Sequence, residues 1–65
     1  MPKSFTPDLK KLLRRHGCRF ERQGKGDHEI WFSPIVDRFF VVDGSILSRH
    51  TANGVLKQAG IEERL

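Results

Sequence analysis

Residues 24–31 read Gly-Lys-Gly-Asp-His-Glu-Ile-Trp. Two glycines allow the backbone a tight reversal, a lysine stands at its tip, and a histidine between two carboxylates leads into an apolar, aromatic run. On one side of the turn, residues 18–23 alternate, with Cys18 and Phe20 on one face and Arg19 and Glu21 on the other. That is the pattern of a half-buried strand. On the other side, residues 28–33 predict a second strand with Ile30 and Phe32 on one face and Glu29 and Trp31 on the other. Ser33-Pro34 and Asp37 bracket a loop, and residues 38–43, Arg-Phe-Phe-Val-Val-Asp, predict a third strand with neither face polar. Short connections make the three an antiparallel meander, one face of which must be covered.

The covering elements lie at the two ends of the chain. Thr6 is placed as N-cap, Pro7 as first helical residue and Asp8 near the positive end of the helix dipole. Leu9, Leu12 and Leu13 fall at i, i+3 and i+4, and Gly17 stops a helix of about residues 7–16. Near the other end Ala52, Val55, Leu56 and Ala59 have helical spacing over residues 49–59, with Ser48 as N-cap and Gly60 as C-terminal stop. Asn53-Gly54 is a competing hairpin signal. Gly54 inside a helix is disfavoured relative to alanine, which is understandable if another backbone packs against it. The expected fold is α+β, in the order α-β-β-β-α: a three-stranded antiparallel sheet with two helices on one face. Double-stranded-RNA-binding domains have that arrangement. On this reading the covered face carries Ile30 and Phe32, while Trp31 stays exposed beside Phe39/Val41 or Phe40/Val42 as a docking patch for a partner protein.

Sixty-five residues make one domain, 1–65, with little core to spare. A lone cysteine, Cys18, excludes an internal disulfide and a zinc quartet, so a reducing compartment is expected. No apolar run approaches a membrane span, and the expected location is cytoplasmic, with no membrane partner. Charge is unevenly distributed. Residues 1–25 carry Lys3, Lys10, Lys11, Arg14, Arg15, Arg19, Arg22 and Lys25 against Asp8 and Glu21, net +6, whereas residues 26–65 are net −2. In the first helix Lys10 with Arg14, and Lys11 with Arg15, are like-charge pairs at i, i+4, an arrangement that costs helix stability. A basic face built against its own repulsion suits a polyanion, and Lys11 and Arg15 are candidate RNA contacts.

Cleavage of RNA without a metal needs a base for the ribose 2′-OH, an acid for the 5′-oxygen and positive charge on the phosphorane-like transition state. Histidine is the side chain suited to such proton transfers near neutral pH. His28 is the candidate catalytic residue, with Lys25 on the turn and Arg22 at the end of the first strand to hold the scissile phosphate. The carboxylates at 27 and 29 flank it, which suits an acid better than a base. His16 and His50 are the other conceivable proton carriers. A Cys18, His28, Asp27 metal site lacks recognisable spacing, so neither metal nor cofactor is expected.

The order of elements, the Gly-Lys-Gly-Asp-His turn at 24–28 and the ending Val55-Leu56-Lys57-Gln58-Ala59-Gly60-Ile61 together resemble the HicA toxins of bacterial HicA/HicB toxin-antitoxin modules. The resemblance spans nearly the whole chain. It implies a small toxin of this fold that cleaves messenger RNA, with a catalytic histidine at the place of His28. It also implies neutralisation by a HicB-like antitoxin, with DNA reached only through the antitoxin complex. In the commoner family pattern a serine precedes the histidine and a second histidine follows, where this chain has Asp27 and Glu29. The residues alone also admit an RNA-binding module of the same fold that does not cut, and a module that only docks protein.

Overall fold

A computed structural model of the chain describes residues 4–65; Lys3, counted above with the basic first half, lies outside them. Helix α1 (Thr6–Arg15) is followed by strands β1 (Arg19–Gln23), β2 (His28–Ser33) and β3 (Arg38–Asp43), and then by helix α2 (Arg49–Gln58). The strands form one antiparallel sheet in the order β1-β2-β3. Both helices end with a glycine of positive φ, Gly17 and Gly60. The two ends share one bonding pattern, with Gly17 and Cys18 donating to Arg14 and Leu13, and Gly60 and Ile61 donating to Lys57 and Leu56. This double bond is the Schellman stop, and the apolar contact that accompanies it falls on the buried pairs Leu13/Cys18 and Leu56/Ile61. At Gly60 a Cβ would lie 2.7 Å from Val36 and 2.9 Å from Ile35, so the loop between β2 and β3 seats directly on the end of α2.

The covered side of the sheet is the opposite of the one expected. Trp31, Ser33, Phe40 and Val42 face the helices and are buried with Leu9, Leu13, Ala52, Leu56 and Ala59, while Phe39 and Val41 face outward with the half-buried Ile30 and Phe32. Alternation in β2 separates two apolar faces without saying which is covered. What decides is that Trp31 has partners on the helical side. Its indole Nε1–H donates to Glu29 at 2.9 Å, Lys10 of α1 pairs with the same carboxylate at 3.0 Å, and the Arg14 guanidinium lies 5.3 Å from the ring centroid. A buried indole N–H needs such an acceptor. Trp31 is therefore a core residue, and it is not an exposed docking patch.

The same contacts correct the reading of the helix charges. Lys10 and Arg14 are engaged by Glu29 and Trp31, and Arg15 lies 3.6 Å from Glu63, so much of the repulsion along α1 is relieved by residues distant in sequence. The N-cap of α1 is Phe5, without a side-chain bond. Thr6 is instead a buried clamp, its hydroxyl donating to the Asp43 carbonyl at 3.1 Å and accepting from Ile46 N–H at 3.0 Å. Ser48 does cap α2, accepting from Thr51 N–H. Beyond its own stretch of helix backbone, Gly54 has no atom within 4 Å of where a Cβ would stand, so close approach of another backbone is not its reason.

Candidate active site

His28 begins β2, and three features of the chain fix its backbone. Gly24 N–H and Gln23 Nε2 both donate to its carbonyl, each at 2.8 Å, and its own N–H donates to Lys25 O at 3.1 Å. Gln23 also donates to Gly26 O at 3.1 Å, closing the turn from inside. Because β2 alternates, His28 shares the face of Ile30 and Phe32, and this is the open face. The ring is half exposed as a result.

Antiparallel pairing places Asp43, the last residue of β3, directly opposite His28. His28 Nε2 lies 3.0 Å from Asp43 Oδ1 and 3.9 Å from Asp27 Oδ1. Asp27 is brought in by Gly44, where a Cβ would stand 2.9 Å from the Asp27 carbonyl oxygen and 3.1 Å from its Cβ. Only a residue without a side chain lets the turn lie across the end of β3. Glu29, the other flanking carboxylate, belongs to the opposite face. Its carboxyl is held below the ordinary value of 4.5, first by the Trp31 indole N–H; burial pushes it up, and Lys10 and then Arg14 add further, individually smaller downward pulls. It takes no part at His28.

Asp43 is the residue of this candidate site that the sequence pattern did not single out. The signal was available in the strand lengths: two six-residue strands around the loop at 34–37, paired outward from the loop, put 43 opposite 28. A carboxylate set against one imidazole nitrogen fixes the ring and leaves the other nitrogen for chemistry. Ligand atoms of Asp27, His28 and Asp43 lie within 4.8 Å of one another, so these three are the residues that could contact a cation. Cys18 is buried and takes no part in that group.

The structure gathers some of the expected contacts and separates others. A bulge in β1 between Phe20 and Arg22 interrupts alternation, so that Arg19 pairs with Phe32 and Arg22 with Ile30, both on the His28 face. Strict alternation would have turned Arg22 away. Lys25 is exposed on the turn. Lys11 and Arg15 are exposed on α1, in the helical layer on the other side of the sheet from His28. His16 lies 2.9 Å from Glu63, and His50 stands in the first turn of α2; neither joins the group at His28. The larger hollow, about 540 Å³, lies between α2 and the last residues of the chain and contains none of that group.

A small α-β-β-β-α domain with a histidine and an aspartate paired on the uncovered face of its sheet is the class that fold and site define. A family model described as HicA toxin of bacterial toxin-antitoxin matches residues 6–61. The chain belongs to that family, and it is a toxin of the toxin-antitoxin kind. Neither the curated proteins nor the solved structures gave a match. Among the described residues no helix is long and apolar enough to cross a membrane.

Proposed function

We propose that this toxin is an endoribonuclease that cleaves messenger RNA with His28 as its catalytic residue and needs no metal. The observation that carries this reading is the exposed His28 ring held 3.0 Å from Asp43 on the open face, with Arg22 on the same face and Lys25 on the adjoining turn. In the proposed reaction the ribose 2′-OH loses its proton, the 2′-oxygen bonds to phosphorus, and the P–O5′ bond breaks as the leaving oxygen takes up a proton. The products are a 2′,3′-cyclic phosphate and a 5′-hydroxyl. Histidine can serve as the proton carrier, Asp43 orients the ring, and Lys25 and Arg22 stabilise the phosphorane charge. A HicB-like antitoxin silences the toxin most simply by covering His28.

The reading is tested by incubating the purified protein with RNA in a chelator over pH 5 to 9. Fragments ending in 2′,3′-cyclic phosphate and 5′-hydroxyl support it. RNA that is bound but stays intact throughout would favour a module of the same fold that binds without cutting. Cleavage only after a divalent cation is added would refute the metal-free chemistry.

A further inference from the structure

Beyond His28, the open face holds a second feature. A hollow of about 360 Å³ is lined by Glu21, Arg22, Ile30, Phe39, Phe40 and Val41. Its walls are of two kinds. Phe39 is 61% exposed, the most exposed large apolar side chain in the described residues, and its ring meets Phe32 edge-on at 5.1 Å, while Arg19 lies 4.6 Å from the Phe32 centroid. Across from these apolar groups the lining holds one acidic residue, Glu21, whose carboxylate lies 3.8 Å from Arg19 Nε, and one basic residue, Arg22. The bulge in β1 brings Arg22 onto this face opposite Ile30, where strict alternation would have sent it to the other.

We infer that this hollow is a subsite for one unpaired nucleobase of the RNA, next to the phosphate that is cut. A base is flat and apolar on its faces and carries donors and acceptors on its edge. An aromatic wall with a carboxylate and a guanidinium beside it has that chemistry, whereas a bare phosphate site would not include Glu21. Position agrees with this. Ile30 is two residues from His28 along β2, about 7 Å, and Phe39 pairs with Phe32, about 13 Å from His28 along the sheet. A chain with its phosphate at His28 and Lys25 can lay the neighbouring base into the hollow. The proposal rests on the ribonuclease reading and deepens it, since a duplex with stacked, paired bases could not fill the subsite. Phe39 and Glu21 become determinants of substrate choice.

The test uses the full chain in five forms: wild type, His28→Ala, Phe39→Leu, Glu21→Gln and the double variant His28→Ala/Phe39→Leu. Phe39→Leu keeps an apolar side chain of similar bulk and loses the aromatic face, so the fold is spared. Affinity is measured in the His28→Ala background against a single-stranded RNA and the same sequence fully paired. Adding Phe39→Leu is expected to weaken single-strand binding by about fivefold to a hundredfold, the range for losing one base–aromatic stack. Sequencing of cut ends is expected to show that Glu21→Gln changes the base preferred beside the cut. Unchanged affinity and unchanged base preference in a wild type that does cut would overturn the subsite and leave the ribonuclease reading standing. Equal binding of duplex would overturn it too, as would a Phe39→Leu protein that binds RNA normally but no longer binds its antitoxin. If the wild type cuts nothing, the ribonuclease reading falls, and the affinity measurements alone decide the subsite.

Discussion

His28 and Asp43 stand opposite each other at the open end of the β2–β3 ladder, with Nε2 and Oδ1 3.0 Å apart. A strand end is where such a pair can be both rigid and reachable, since the ladder sets the Cα positions and solvent keeps one side. The Thr6 hydroxyl, bonded to the Asp43 carbonyl, ties this end of the sheet to the start of α1. Site and core are thus connected through one buried threonine.

In the proposed reaction Asp43 positions the His28 ring, and its removal should slow cleavage without abolishing it. Asp43→Asn keeps shape and loses charge. Activity should fall about tenfold or more, but less than the 10²- to 10⁴-fold expected on losing the proton carrier itself. Turnover on a defined RNA, with the melting temperature as control, checks this; full activity in Asp43→Asn would show the pairing to be irrelevant.

Two glycines should respond to alanine in opposite directions. At Gly44 an added Cβ meets the backbone of Asp27 at 2.9 Å, so the turn must shift, and both stability and cleavage should decrease. At Gly54 the added Cβ enters open space in mid-helix, so stability should rise by about 0.5–1 kcal/mol. For a domain of this size that is a melting temperature several degrees higher, at about 4–8 °C per kcal/mol. Thermal melts of both variants decide.

Glu29 makes acid stability predictable in sign. Its folded carboxyl titrates below its ordinary value because Trp31, Lys10 and Arg14 favour the anion. A group depressed on folding contributes stability above its unfolded pKa and loses that contribution as pH falls through the folded one. Glu29→Gln should therefore be less stable than wild type at neutral pH, and the two should converge as pH falls below the ordinary carboxylate value and on through the lower, folded one. Denaturant titrations from pH 7 to 3 would show it; a gap that stays constant over the whole range would rule out this origin.

Trp31 should behave as core. Truncating a buried Trp costs about 3–5 kcal/mol, against roughly 3–10 kcal/mol for the whole stability of a chain this long. Trp31→Ala should therefore be largely unfolded, whereas Trp31→Phe should fold with a lower melting temperature and bind its antitoxin normally. Selective loss of that binding in a well-folded Trp31→Phe would return the residue to the interface.

The boundaries of the strands were legible because Gly-Lys-Gly-Asp, Ser33-Pro34 and Asp37 punctuate the chain where turns need them. The choice of covered face was not. Ile30/Phe32 and Trp31 are both apolar, and the difference lies in Glu29, Lys10 and Arg14, whose meeting depends on how α1 crosses the sheet. That inversion also resolves His28, which is outward because it shares a face with Ile30 and Phe32. The bulge that carries Arg22 to the same face leaves no mark in residue types. Asp43 needed the register of the ladder as well as the pattern of one strand.

Whether His28 carries the reaction is decided in living cells. Wild-type and His28→Ala chains are induced in separate bacterial cultures, without antitoxin, at matched protein level, and growth and intact mRNA are followed. Arrest with rapid mRNA loss in the wild type, and continued growth with intact mRNA in His28→Ala, is the predicted result. Equal arrest and equal mRNA loss in the two cultures would contradict it.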